Sequence, residues 1–143
     1  MPAAVTVQSI ERMTHLVASD GHAIVADEPL DAGDDLGMDP YELLLGALGA
    51  CTAMTLRIYA ERKGWPLESV NVSLTHERVH ARDCEDCEES SEGYVEVIRR
   101  TIDVKGALDA DQLDRLRYIA ARCPVHRTLA AAPQVIDALS IAD

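Results

Sequence analysis

The sequence predicts an α+β fold, in which strands and helices occupy separate stretches of the chain. Two observations support this prediction. A long helix over about residues 40–63 is bounded by clear start and stop signals, and segments with strand-like alternation lie on both sides of it. No internal repeat or low-complexity linker interrupts the 143 residues, so we expect a single domain over residues 1–143.

The first part of the chain predicts strands between residues 5 and 27. The segments MTHLVA and HAIVAD flank Asp20-Gly21, a pair that favours a tight hairpin turn. The acidic stretch EPLDAGDDLGM follows. Because its acids lack the alternating ligand pattern of a calcium loop, we expect a solvated loop.

The long helix carries signals at both ends. Asp39 is placed as its N-cap, and Glu42 is placed to complete a capping box. At the other end, Gly64 and Pro66 stop the helix. Because residues 43–54 are apolar on every side of the helix, we expect this part to be buried all round.

The second half of the chain predicts two strands, two helices and a last strand. The strands are SVNVSLTHERVH and YVEVIRRTIDVKG, in which apolar residues alternate with polar ones. Asp109 caps the next helix. The segment PVHRTLAAA is a short helix, and QVIDALSIA is the final strand.

The charge balance excludes several classes of partner. The net charge is -12, with 25 acidic and 13 basic residues, whereas phosphate backbones and anionic membranes attract basic surfaces. The N-terminus has no signal-peptide pattern, and no uninterrupted apolar run approaches the ~20 residues of a bilayer span. We therefore expect a cytoplasmic protein that binds neither nucleic acid nor membranes.

Cys123 lies where a thiol is readily ionised. Pro124 suits the first position of a helix, so Cys123 becomes the N-cap, with free backbone N–H groups facing its sulfur. Such a position lowers the pKa of a thiol and raises its reactivity. The alternative is that Cys123 is a small buried apolar residue that happens to precede a proline.

Cys51 lies inside the long helix, without a cap. Small neighbours such as Gly46 and Gly49 leave room for another backbone or a small ligand. An apolar recess raises the pKa of a thiol, so a Cys51 thiolate needs a nearby cation, and core filling is the alternative. The candidate cations are Arg12, Arg57, His126 and Arg127.

A second pair of cysteines, Cys84 and Cys87, follows two histidines, His76 and His80. Two thiols and two imidazoles suffice for tetrahedral Zn²⁺, but two histidines four positions apart on one regular strand lie about 13 Å apart and do not both reach one ion. A loop disulfide, a redox dithiol and an inert loop are the alternatives.

Two segments resemble the OsmC/Ohr family of peroxide-detoxifying proteins. They are DPYELLLGALGACTAMTLRIYAERKGWPLESVNVSLTHERVHA and RCPVHRTL, and the order of elements matches along nearly the whole chain. The resemblance implies that Cys51 is the peroxidatic thiolate and Cys123 the resolving thiol. It also implies support of the thiolate by an Arg, for which Arg12 is the equivalent, and by an acid, for which Glu42 is the candidate. Simple helix capping is the alternative role for Glu42.

The resemblance further implies an intertwined homodimer, with a long central helix wrapped by antiparallel sheets. The resemblance also implies that the substrates are organic hydroperoxides and that the reductants are dithiols such as dihydrolipoamide. It implies no bound cofactor. Two alternatives stay open. One is a non-catalytic redox or metal sensor that uses Cys84 and Cys87, and the other is a carrier with a small-ligand pocket beside Gly46 and Gly49.

Overall fold

The structure, a computed structural model, describes residues 2–83 and 93–142. It has the mixed α and β composition that the sequence predicts. In chain order the elements are β1 Thr6–Glu11, β2 Thr14–Ala18, β3 Ala23–Ala26, α1 Pro40–Lys63, β4 Leu67–His80, a 3₁₀ turn Ala81–Asp83, β5 Tyr94–Gly106, α2 Ala110–Ala120 and α3 Pro124–Ala130.

The packing of the backbone divides the chain into two compact units. One comprises Met1–Gly46 with Thr75–Arg99, and the other comprises Ala47–Leu74 with Arg100–Asp143. The expectation of one domain over residues 1–143 therefore stays a prediction.

In the first unit, β1, β2 and β3 form an antiparallel sheet. The predicted hairpin is confirmed, because Ala18 pairs with Ala23 across the turn that contains Asp20-Gly21. The acidic stretch after β3 is a loop, also as predicted. It is organised by the buried carboxylate of Asp27, which accepts hydrogen bonds from the Thr14 hydroxyl at 2.8 Å and from backbone N–H groups of the loop.

Helix α1 begins and ends where the sequence signals place it. The capping box is formed: the Glu42 N–H donates to Asp39 Oδ1 at 2.8 Å, and the Asp39 N–H donates to Glu42 Oε1 at 3.0 Å. After the helix, Gly64 has a φ of 69°, the left-handed conformation in which glycine commonly ends helices.

The expectation that residues 43–54 are buried all round is wrong for the chain described here. Leu48, Gly49 and Thr52 are buried, whereas Met54 is 64% exposed. The apolar residues of α1 favour burial. The rest of the described chain, however, covers only part of the surface of this helix. By length and composition alone α1 also meets the criterion for a membrane span, with a mean hydropathy of 1.5 over 18 residues, as core helices of soluble proteins do.

The second unit has its core where α1 meets α2. Leu56, Leu116 and Ala120 are buried together, and side chains from β4 and β5 pack against them. Asp109 caps α2 as predicted, because its side chain accepts the Gln112 N–H. This core fixes the end of α2, from which the chain passes directly into Cys123 and α3.

The predicted final strand over residues 134–142 is wrong. No regular element forms there, and Val135 and Leu139 are 82% and 100% exposed. Alternating apolar residues favour a strand, but a strand also needs a neighbour for its backbone N–H and C=O groups. None of the described strands pairs with this segment.

Candidate functional site

Cys123 is the N-cap of α3, as the sequence predicts. Its backbone is extended, with φ -61° and ψ 139°, and its Sγ accepts the His126 N–H at 3.3 Å. The residue is fully buried, with an exposure of 0%. The sulfur is therefore held by the first turn of the helix and closed off from bulk solvent.

Cys51 reaches the same turn of α3 from α1. Its Sγ accepts the Val125 N–H at 3.5 Å and lies 4.0 Å from the Thr55 hydroxyl. The two N–H groups that bond the sulfurs belong to adjacent residues, Val125 and His126, in the first turn of α3. Both cysteines are free thiols, and Cys51 is the more accessible of the two, half-buried rather than fully buried. The structure thus brings together two sulfurs that lie far apart in the sequence.

Thr52 lies beside the Cys123 sulfur, and it is 0% exposed. Its hydroxyl donates to the carbonyl oxygen of Leu48 at 2.7 Å and accepts from Arg100 Nη1 at 3.0 Å. The same oxygen lies 3.9 Å from Cys123 Sγ. One buried hydroxyl therefore connects a guanidinium to the Cys123 thiol.

Arg100 is a site residue that the sequence analysis missed. It is half-buried on β5, and its Nη2 lies 3.1 Å from His126 Nδ1. A signal for it existed, because Arg100 continues the alternation of Ile98, Ile102 and Val104 and so takes an inward position on the strand. Arg100 also lines a cavity of about 410 Å³, whose other walls are Ile102, Val104, Leu113, Leu116, Arg117 and Ala120.

The electrostatics of the site favour a thiolate at Cys123. Burial raises the pKa of the Cys123 thiol, but hydrogen bonds from the His126 N–H, from Cys51 and from Thr52, together with the charge of Arg100, lower it further, and the net pKa is below the usual value. Burial and the charge of Arg100 both lower the pKa of His126. His126 was a candidate cation in the sequence analysis, whereas here it is a neutral acceptor and Arg100 supplies the charge.

Three other sequence candidates have different partners in this structure. Arg12 lies in the turn between β1 and β2 and pairs with Asp34 at 2.5 Å. Glu42 forms the capping box, and Arg57 donates to the Leu67 carbonyl at 2.6 Å. Support of the Cys51 thiolate by Arg12 and Glu42 stays a prediction.

The candidate zinc ligands are only partly described. Cys84 and Cys87 lie outside the described residues. His76 Nε2 pairs with Glu96 Oε2 at 2.7 Å, and His80 Nδ1 accepts a backbone N–H. Across residues 2–83 and 93–142, His, Cys, Asp and Glu side chains form no group of three or more that suits a metal ion.

The arrangement of helices, strands and thiols matches a known family. The family model described as OsmC-like protein matches residues 33–136. The chain belongs to the OsmC-like protein family. The match covers both thiols and every element from α1 to α3, as the resemblance in the sequence indicates.

Solved structures show the OsmC fold over most of the chain. An OsmC-like protein from Mycoplasma pneumoniae has a TM-score of 0.72 at 20% identity, covering 92% of this chain and 89% of that one. An organic hydroperoxide resistance protein OsmC from Legionella pneumophila has a TM-score of 0.57 at 18% identity, covering 88% of each chain. OhrB of Bacillus subtilis, an organic hydroperoxide resistance protein, has a TM-score of 0.56 at 20% identity, covering 92% of this chain and 93% of that one. A search of the curated proteins gives no match.

Proposed function

We propose that the protein is a thiol-dependent peroxidase that reduces organic hydroperoxides and is recycled by a dithiol. The observation that carries the proposal is the meeting of Cys51 and Cys123, whose sulfurs accept N–H groups from the same helical turn. Membership of the OsmC-like family, with structural relatives described as organic hydroperoxide resistance proteins, supports the choice of substrate.

The proposed cycle has three balanced steps. The Cys51 thiolate attacks the outer oxygen of the hydroperoxide, the O–O bond breaks, and an alkoxide leaves and takes up a proton to become an alcohol. The resulting Cys51 sulfenic acid is attacked by the Cys123 thiolate, which forms the disulfide and releases hydroxide, which is protonated to water. An external dithiol such as dihydrolipoamide then reduces the disulfide and is itself oxidised to a disulfide.

The difference in exposure between the two sulfurs suits this division of roles. Cys51 is half-buried and can meet a substrate, whereas Cys123 is fully buried and can meet only a partner already in the site. The lowering of the Cys123 pKa suits the resolving step, which needs a thiolate. In the proposed enzyme Arg12 and Glu42 assist Cys51, the assembly is a homodimer, and the location is the cytoplasm.

The proposal is tested by peroxide consumption with cumene hydroperoxide and either dithiothreitol or dihydrolipoamide. We expect Cys51→Ser to abolish turnover. Cys123→Ser should still form a sulfenic acid that dimedone traps, while disulfide formation is lost. The matched control is the double variant Cys84→Ser/Cys87→Ser, which should keep its activity. Undiminished turnover in Cys51→Ser would overturn the proposal.

A further inference from the structure

We propose that Arg100 is a positioning residue that acts through the Thr52 hydroxyl to stabilise the Cys123 thiolate. It thereby promotes closure of the Cys51–Cys123 disulfide and its later reduction. For these two steps the inference rests on the proposed function. The stabilisation itself does not, since it concerns the ionisation of a thiol that is measurable without any peroxide.

The Thr52 hydroxyl has one proton to donate and two lone pairs that accept hydrogen bonds. When Cys123 is protonated, its S–H donates to Thr52 Oγ1, Arg100 donates to the second lone pair, and the hydroxyl proton goes to Leu48 at 2.7 Å. When Cys123 ionises, the hydroxyl proton turns to the sulfur. The Leu48 carbonyl then loses its hydrogen bond from the Thr52 hydroxyl. It keeps the hydrogen bond from the backbone N–H of the helix.

Arg100 favours this rotation of the Thr52 hydroxyl toward the sulfur. Its N–H remains on the Thr52 oxygen in both states, so it holds the oxygen in place and polarises the O–H group that faces the thiolate. The other hydrogen bond of Arg100, to His126 Nδ1 at 3.1 Å, fixes the guanidinium from the opposite end. Thr52 and His126, the hydrogen-bond partners of Arg100 among the described residues, therefore both also contact Cys123.

Within the described part of the chain, no carboxylate pairs with Arg100 or neutralises its charge. The partners of Arg100 there, Thr52 and His126, are neutral. Among residues 2–83 and 93–142, the titratable or charged groups that face Cys123 are Cys51 on α1, Arg100 on β5 and His126 on α3. Of these Arg100 is the permanent cation, so an anion at Cys123 is the charge that balances it.

Two steps of the cycle depend on the anion at Cys123. In closure, the Cys123 thiolate attacks the Cys51 sulfenic sulfur and hydroxide leaves. In reduction, a dithiol thiolate attacks Cys51 Sγ, the S–S bond breaks, and Cys123 leaves with the electron pair. Stabilising the departing thiolate speeds the second step, because a thiol of lower pKa is the better leaving group.

The direct test is an NMR pH titration of reduced protein carrying a ¹³C label at the cysteine Cβ atoms. The chemical shift of this carbon reports ionisation of the thiol without a reagent that must reach the buried sulfur, and the Cys123 signal is the one that Cys123→Ser removes. We expect Arg100→Met to shift the Cys123 profile to higher pH by about 0.5 to 1 pH unit, which corresponds to an about three- to tenfold smaller thiolate fraction near neutrality.

Three matched variants separate positioning from a structural effect. Arg100→Lys keeps the charge and should recover part of the shift. Arg117→Met removes an exposed arginine that pairs with Asp114 and should leave the profile unchanged. Thr52→Val should shift the profile in the same direction as Arg100→Met. In the Thr52→Val background, Arg100→Met should add little, since its effect passes through the hydroxyl.

An unchanged Cys123 profile in a folded Arg100→Met protein overturns the inference. An equal shift from Arg100→Met with and without Thr52 overturns the role of the hydroxyl. If the wild type consumes no peroxide but the Cys123 profile shifts as expected, the proposed function fails and the positioning role stands. In an active enzyme, dimedone-trapped sulfenic acid should form at an unchanged rate in Arg100→Met while disulfide closure slows.

Discussion

Oxidation of the site should stabilise the fold strongly. A bond between Cys51 and Cys123 closes a loop of about 70 residues, and a loop of that length restricts the unfolded chain by about 4 kcal/mol at 25 °C. The two sulfurs already lie at the same turn of α3, because the N–H groups of adjacent residues, Val125 and His126, bond one sulfur each. For a chain of this size, about 4 kcal/mol corresponds to a Tm increase of roughly 10 °C.

The assay compares reduced protein with protein treated with one equivalent of cumene hydroperoxide, by thermal and urea denaturation. The double variant Cys84→Ser/Cys87→Ser is the background, so that only the site thiols oxidise. Cys123→Ser in the same background is the control and should show no stabilisation. Equal midpoints for the reduced and oxidised forms would refute the reasoning, because they would mean that no long-range crosslink forms.

Two further predictions concern the scaffold. Burial raises the pKa of Asp27, but hydrogen bonds from Thr14 and the loop N–H groups have the larger effect and hold the pKa below the usual value of an aspartate. The ionised carboxylate therefore stabilises the fold above about pH 4, and this stability is lost as the pH falls through the lower pKa of the folded state. Asp27→Asn should therefore reduce the urea midpoint at neutral pH and make that midpoint less dependent on acid pH. Gly106→Ala should lower the Tm, because Gly106 has a φ of 145° and a Cβ there would lie 2.2 Å from the Pro66 carbonyl oxygen. Gly21→Ala is the control and should have a smaller effect, because a Cβ at Gly21 meets nothing within 4 Å. Wild-type stability in Gly106→Ala, or an unchanged acid profile in Asp27→Asn, would contradict these assignments.

Local signals in the sequence predicted most of the elements. The Asp20-Gly21 turn, the capping box of Asp39 with Glu42, and the N-cap at Cys123 each depend on residues within one turn of chain, and the structure has all three. The final strand failed for the opposite reason. Its alternation was real, but a strand depends on a neighbouring strand that a local pattern does not specify.

The site was predictable in part for the same reason. The position of Cys123 followed from Pro124 alone, and the partnership with Cys51 came from the family resemblance. Arg100 was missed because its role depends on Thr52 and His126, which reach it from α1 and α3. The sequence indicated only that Arg100 is a charged residue on the inward face of a strand. This position does not predict which residues Arg100 contacts.

The most direct test of the central claim, that Cys51 and Cys123 act as one site, is a peptide map of peroxide-treated protein digested with trypsin in the absence of reductant. We expect a single new species that joins peptide 13–57 to peptide 123–127 through a disulfide and disappears on addition of dithiothreitol. Recovery of Cys51 as a sulfinic or sulfonic acid, with Cys123 still open to alkylation, would contradict the account.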